Sequence, residues 1–182
     1  MNIRFALVVF SLTFFCFKTF AQDIPMEKHD LDAAKCSIEF PQQWITLDNF
    51  SAKASNIVIA VSTSLKETPN DNFTENIIVT STSIEGNNKK LESRFENLVD
   101  KITRNYDGEC AIIDKGSVNT QQNELKWIIY TQKTESMVYK IISYLVVVED
   151  KEYLITCYAS VDSFDKFRPI YDKVAQSFKY IK

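Results

Sequence analysis

Met137-Val138-Tyr139-Lys140-Ile141-Ile142-Ser143-Tyr144-Leu145-Val146-Val147-Val148 is the stretch that decides the fold. Read as a strand, it sets Met137, Tyr139, Ile141, Leu145 and Val147 on one face and Val138, Ile142, Tyr144, Val146 and Val148 on the other. Both faces are apolar. A strand of that kind has to be covered on both sides. Residues 137–148 therefore predict a central strand in a sheet with helices packed on each face.

The flanks repeat the period of two. Residues 110–118, 125–132 and 153–159 read as strands separated by short polar turns, with Glu149-Asp150-Lys151-Glu152 as a hairpin loop that lacks the usual glycine. Between 88 and 106 the period changes. Leu91, Phe95, Leu98, Val99, Ile102 and Tyr106 fall on one helical face, with Asn87 or Asn88 able to cap the start and Gly108 able to end it. A last helix is expected over 163–179, where Phe164, Phe167, Tyr171, Val174 and Phe178 recur at steps of three and four. Pro169 should kink that helix or mark its true start.

Towards the N-terminus, Cys36-Ser37-Ile38-Glu39-Phe40 alternates and stops at Pro41, a strand closed by a turn into Trp44. Residues 57–61 and 76–84 are two further β-branched runs, joined through Pro69, Asn70, Asp71 and Asn72. Residues 22–34, polar with Pro25 and no apolar periodicity, read as a flexible leader. The order is β-β-β-α-β-β-β-β-α. Its fold class is α+β: one domain over 35–182, an antiparallel sheet with helices on both faces.

The chain has 182 residues, 45% of them hydrophobic and 25% charged, with three Gly and four Pro, which fits a globular domain and excludes collagen-like or low-complexity architecture. Met1-Asn2-Ile3-Arg4, an apolar run over 5–17, and small residues at Thr19 and Ala21 match a secretory signal cut between Ala21 and Gln22. The run is shorter than the roughly 20 residues that span a bilayer, and Cys16 lies inside it rather than at a lipobox. The expectation is an exported chain, periplasmic or secreted, with no integral membrane span after cleavage. Net charge is −3. A diffuse acidic surface argues against nucleic acid as a partner.

The opening Ser37-Ile38-Glu39-Phe40-Pro41 with Trp44, the helix after three strands, and the ending Tyr153-Leu154-Ile155-Thr156-Cys157-Tyr158-Ala159-Ser160 followed by Phe164, Phe167 and Ser177-Phe178 together resemble the PsbP-like superfamily. That superfamily includes a lumenal photosystem II subunit, a Ran-binding nuclear transport factor and DcrB-type periplasmic proteins. The resemblance covers nearly all of 35–180 and rests on packing residues. It implies an antiparallel sheet between helices and a non-enzymatic role in binding or assembly. Neither the photosynthetic nor the nuclear-transport role carries over.

Candidate chemistry is sparse. The one histidine, His29, lies in the expected leader beside Glu27, Asp30 and Asp32, a cluster lacking the scaffold that a tight metal site needs. With no histidine in the expected domain, neither a His-based zinc site nor a hydrolase triad is predicted there. Gly86, Gly108 and Gly116 are isolated and form no phosphate loop. Asp107 and Glu109 around Gly108 read as turn chemistry. No cofactor or metal is expected.

Cys36, Cys110 and Cys157 remain after the signal, and an odd count leaves one thiol unpaired. Cys36 and Cys110, both near element ends, are expected to form a disulfide, with Cys157 a buried small hydrophobe. Pairing of Cys36 with Cys157, or three free thiols, stays open. Phe50, Phe73 and Tyr180 fall outside the core stripes, where they could line a groove. Three functions follow: a non-catalytic binding or assembly module with a protein partner, a carrier of a small apolar ligand, and a carboxylate-dependent hydrolase. The first leads, and no enzyme activity is expected.

Overall fold

A computed structural model describes residues 24–47, 56–63, 73–86, 89–105 and 109–182. Val138–Val148 forms a strand in which Ile141, Ile142, Tyr144, Leu145 and Val146 have no solvent exposure, on both faces alike. Ile141 and Leu145 pack with Phe95 and Ile102 of one helix. Ile142, Tyr144 and Val146 pack with Phe164, Phe167, Tyr171 and Val174 of the other. The two-sided reading holds over Ile141–Val146, while Val138 at the start of the strand is exposed.

In chain order the described elements are β1 (Met26–Leu31), a 3₁₀ turn (Asp32–Ala34), β2 (Cys36–Pro41), β3 (Ile45–Thr46), β4 (Ile57–Ser62), β5 (Asn76–Ser83), α1 (Leu91–Asn105), β6 (Cys110–Asn119), β7 (Glu124–Lys133), β8 (Val138–Val148), β9 (Lys151–Ser160), α2 (Phe164–Gln176) and β10 (Lys179–Tyr180). Seven strands make one antiparallel sheet in the order β3-β4-β5-β9-β8-β7-β6. α1 covers one face. On the other, α2 shares the cover with a second sheet of three strands, β1-β2-β10.

Three expectations are corrected. The supposed flexible leader is ordered from residue 24, and Met26–Leu31 pairs with the whole of β2, Met26 opposite Pro41 and Leu31 opposite Cys36. Main-chain hydrogen bonds hold β1, which is why its polar sequence carries no periodic signal. The strand at Cys36 does not join the large sheet; it forms the middle of the small one. Pro169 does not mark the start of α2, which begins at Phe164 with the proline inside it. The proline is exposed, and so is Asp165, whose carbonyl its missing N–H would have met, so water can take that bond.

The end of the chain ties the layers together. Ser177 Oγ accepts a hydrogen bond from the Glu39 N–H (2.8 Å) and donates one to the Val174 carbonyl (2.6 Å). Phe178 packs on Tyr153 with ring centroids 4.9 Å apart, and Tyr153 Oη donates to the Ala34 carbonyl at 2.6 Å. Trp44 follows a turn in which its N–H reaches the Pro41 carbonyl, and its ring lies against Phe167 and Tyr171. The β8–β9 hairpin turns on Glu149 and Asp150, with Glu149 at φ 57° where a glycine would sit without strain.

Strand β6 is an edge. It bulges between Ile112 and Asp114, and the Asp114 carboxylate takes the Lys115 N–H at 2.8 Å. Gly116 faces Trp127 across the ladder, and a Cβ there would come within 2.6 Å of the indole. The ring fills that space, and the Arg168 guanidinium lies 4.9 Å from its centroid.

The helical stripe of α1 is buried at Phe95 and Ile102 but only half-buried at Leu91, Leu98 and Val99. Residues 87, 88 and 106–108, and with them the expected caps, lie outside the described residues. Ile142→Ala should therefore cost about 2–5 kcal/mol, and Leu98→Ala clearly less, about 1 kcal/mol. Urea unfolding of the two variants side by side measures the difference.

Candidate binding site

One helix cannot span seven strands. α1 sits over β6, β7 and β8, and grooves remain along both of its flanks. The helical period sorts the charges between them. Glu92 and Glu96 lie four residues apart and turn towards β6 and β7, where Lys115 and Lys126 face them across a groove of about 570 Å³, while Asp100, one turn on, borders the grooves on both flanks. Lys126 pairs with Glu92 and holds its ammonium over the Phe95 ring, 5.5 Å from the centroid.

The other flank carries cations. Arg94, Lys101 and Arg104, with the carboxylates of Asp100 and Glu152 between them, edge a groove of about 560 Å³ whose opposite wall is Thr80 and Thr82 of β5 and whose floor includes Leu98 and Leu154. Arg94 Nε donates to Glu152 Oε2 of β9 at 2.5 Å, a half-buried pair that pins the helix to the sheet. Arg104 bonds Asp100 one turn back at 2.9 Å; that pair is exposed, and pairs of its kind contribute about 0.3–0.5 kcal/mol. Arg104 is thus readily redirected to a ligand.

A second polar cluster lies at the N-terminus of α2. Glu75, fully buried at the start of β5, accepts a hydrogen bond at 2.5 Å from Ser163 Oγ, which itself accepts one at 2.8 Å from Ser160 Oγ. The group joins β5, β9 and α2, and an acceptor carboxylate beside a helix N-terminus is favoured by the helix dipole. A serine that donates to a buried glutamate has no imidazole here to take its proton. The cluster is a clasp. On the far side of α2, Tyr144 Oη donates to Asp172 Oδ1 at 2.5 Å, and Arg168 Nε reaches both Asp172 oxygens at 3.0 Å.

The residues singled out by sequence scatter. His29 is in the fold after all, half-buried in β1 with its ring edge-on to Phe40 at 5.3 Å. Among the described residues no group of three or more His, Cys, Asp or Glu side chains is placed to hold a metal ion. Phe73 stacks on Tyr139 at 4.9 Å, and Tyr180 Oη donates to Glu149 at 2.7 Å, so the two line no common groove. Phe50, Asp107, Ala21 and Gln22 lie outside the described residues.

The expected Cys36–Cys110 disulfide is absent, and all three cysteines are free thiols. Cys36 belongs to the cluster under α2 and Cys110 to the one under α1, with the large sheet between them. Cys157 is fully buried, as expected. Burial pushes the Cys36 thiol up to about 11, a rise that the nearby Lys151 reduces, and burial with Glu109 raises Cys110. The charge-sorted flanks of α1 went unnoticed in the sequence. Glu92, Arg94, Glu96, Asp100 and Lys101 stand off the apolar stripe in the sequence, but which groove each borders is set by the strands beside the helix, and Asp100 borders both.

The fold and its charged helix flanks define a class first: an α+β sandwich with an open helical face. No family model matches the sequence, and no curated protein matches it. Solved structures do. CyanoP, the cyanobacterial PsbP of Synechocystis, superposes with a TM-score of 0.62 at 15% identity over 86% of this chain and 93% of its own. The Ran-binding protein Mog1p of Saccharomyces cerevisiae gives 0.61 at 11% identity, over 87% and 97%. LpqN of Mycobacterium tuberculosis, described as involved in cell envelope biogenesis, gives 0.57 at 9% identity, over 88% of each chain. This chain has the PsbP-like fold. At these identities the likeness is one of architecture.

Two measurements check the site's chemistry. Ser163→Ala removes a donor from a buried carboxylate and should cost about 1.5–3 kcal/mol in denaturant unfolding, without altering the helix content of the folded state. Iodoacetamide applied to the folded protein should label Cys110 first among Cys36, Cys110 and Cys157, with the other two reacting only on unfolding, as peptide mapping would show.

Proposed function

We propose that this chain is an exported, non-catalytic binding or assembly module, released by cleavage between Ala21 and Gln22. The observation that carries the reading is the open face of the large sheet, where α1 presents opposite charges on its two flanks beside exposed grooves. The shared architecture supports it, since one protein of this fold is described as Ran-binding and another as PsbP. No helix among the described residues is long and apolar enough to cross a membrane.

A carrier of a small apolar ligand wants an enclosed apolar cavity, whereas both grooves are open and edged with charge. For a hydrolase the best candidate is the Glu75–Ser163 pair, and its bonds are spent on holding α2. The mature protein, purified from its native host after mild cross-linking, should carry a partner at a stoichiometric ratio and should not turn over generic ester, phosphate or glycoside substrates. Turnover that disappears in Glu75→Gln, with the circular dichroism unchanged, would overturn the reading.

A further inference from the structure

The cationic flank of α1 has a geometry that selects among partners. Arg94 and Lys101 are seven residues apart, two helical turns, which places them on one side of the helix about 10 Å apart along its axis. Arg104 lies only about 4.5 Å beyond Lys101 along the axis and about 60° round it, beside that row rather than on it. An extended polypeptide advances about 3.3 Å per residue, so side chains three apart along it meet that interval. The facing wall adds hydroxyls at a strand's repeat, Thr80 and Thr82, and Asn97 offers an amide between Arg94 and Lys101. Leu98 and Leu154 give the groove an apolar floor for the stems of bound side chains.

Charge favours one sign of ligand. The chain as a whole carries −3, so it repels acidic partners at a distance, and attraction has to come from a local site. The Arg94 Nε–Glu152 bond holds one guanidinium in place while engaging one of its five N–H groups. Lys101 is exposed beside it, and the weak Arg104–Asp100 pair can exchange its carboxylate for one from a ligand.

We infer that the groove between α1 and strands β5 and β9 docks an extended, acidic segment of a partner protein, with carboxylates about three residues apart received by Arg94 and Lys101, and Arg104 beside Lys101 adding to the local positive charge. This rests on the binding-module reading and gives its partner a chemistry. On the opposite flank Glu92, Glu96 and Asp100 outnumber Lys115 and Lys126, and Lys126 is taken up by Glu92, so the same segment is less favoured there.

The test uses the full mature protein and a fluorescein-labelled peptide of about 15 residues with Glu at every third position, followed by fluorescence anisotropy. Binding is expected at about 0.05 M salt and should weaken at about 0.5 M. The double variant Lys101→Glu/Arg104→Glu should lose at least about tenfold in affinity, while Lys115→Glu on the other flank should change it by no more than about twofold. Failure of the Glu peptide to bind, or equal binding by the double variant, would overturn the inference. So would equally tight binding of a Lys peptide or of an oligothymidylate of matching charge. If the peptide fails yet a partner still co-purifies at a stoichiometric ratio, the acidic chemistry is wrong and the module reading stands. If no partner is found and turnover appears, the module reading falls with it.

Discussion

Everything else in this molecule follows from β8 being apolar on both faces. Ile141 and Leu145 on one side and Ile142, Tyr144 and Val146 on the other have no solvent exposure. Each of these side chains adds roughly 1.5–3 kcal/mol by its burial, so neither face can be left to water. The two faces are covered differently. A 13-residue helix is about 20 Å long, and seven strands spaced at about 4.8 Å make a sheet nearly 30 Å wide. On the α2 side the small sheet makes up the shortfall. On the α1 side no second sheet joins the helix among the described residues, and the uncovered margins become grooves. The asymmetry of cover creates the site.

Most of the fold was legible because its signals are periodic. The strands read from alternation at 110–118, 125–132 and 153–159 match β6, β7 and β9 closely, and both helices lie where the three- and four-residue steps put them. What escaped has a common cause. β1, β3 and β10 are held mainly by main-chain bonds to a neighbour and bury little of their own side chains, so no apolar pattern marks them. Pro169 did not mark the start of α2 because a proline on the exposed side of a helix forfeits a bond that water can replace. The disulfide misled because nearness to element ends says nothing about which face of a sheet a cysteine occupies, and Cys36 and Cys110 occupy opposite ones.

The site was less legible than the fold, since it depends on what is left over once the core is packed. The absence of a phosphate loop and of paired histidines could be read directly. The placement of His29 could not, and it lies inside the folded part, edge-on to Phe40 rather than tethered in solvent. The polar groups that the interior does contain are committed to joining elements: Glu75 with Ser163 at the head of α2, Asp172 with Tyr144 and Arg168 along it, and the Ser143–Thr156 hydroxyl pair between β8 and β9. Buried polar groups engaged in this way specify one packing arrangement, and they leave the charges on the flanks of α1 as the groups still able to meet a ligand.

The edge of the large sheet has its own consequence. Strand β6 is long and carries exposed Ile112 and Ile113, the kind of margin on which identical chains stack into fibrils. Here the bulge between Ile112 and Asp114 throws the ladder out of step, and the Asp114 carboxylate already occupies the Lys115 N–H that an incoming strand would need. The indole of Trp127, clamped between Gly116 and Arg168, keeps the weakest residue of that strand from sliding to another register. A chain crowded among its own copies thus meets a margin that is harder to extend with another strand than a flat, unbroken edge.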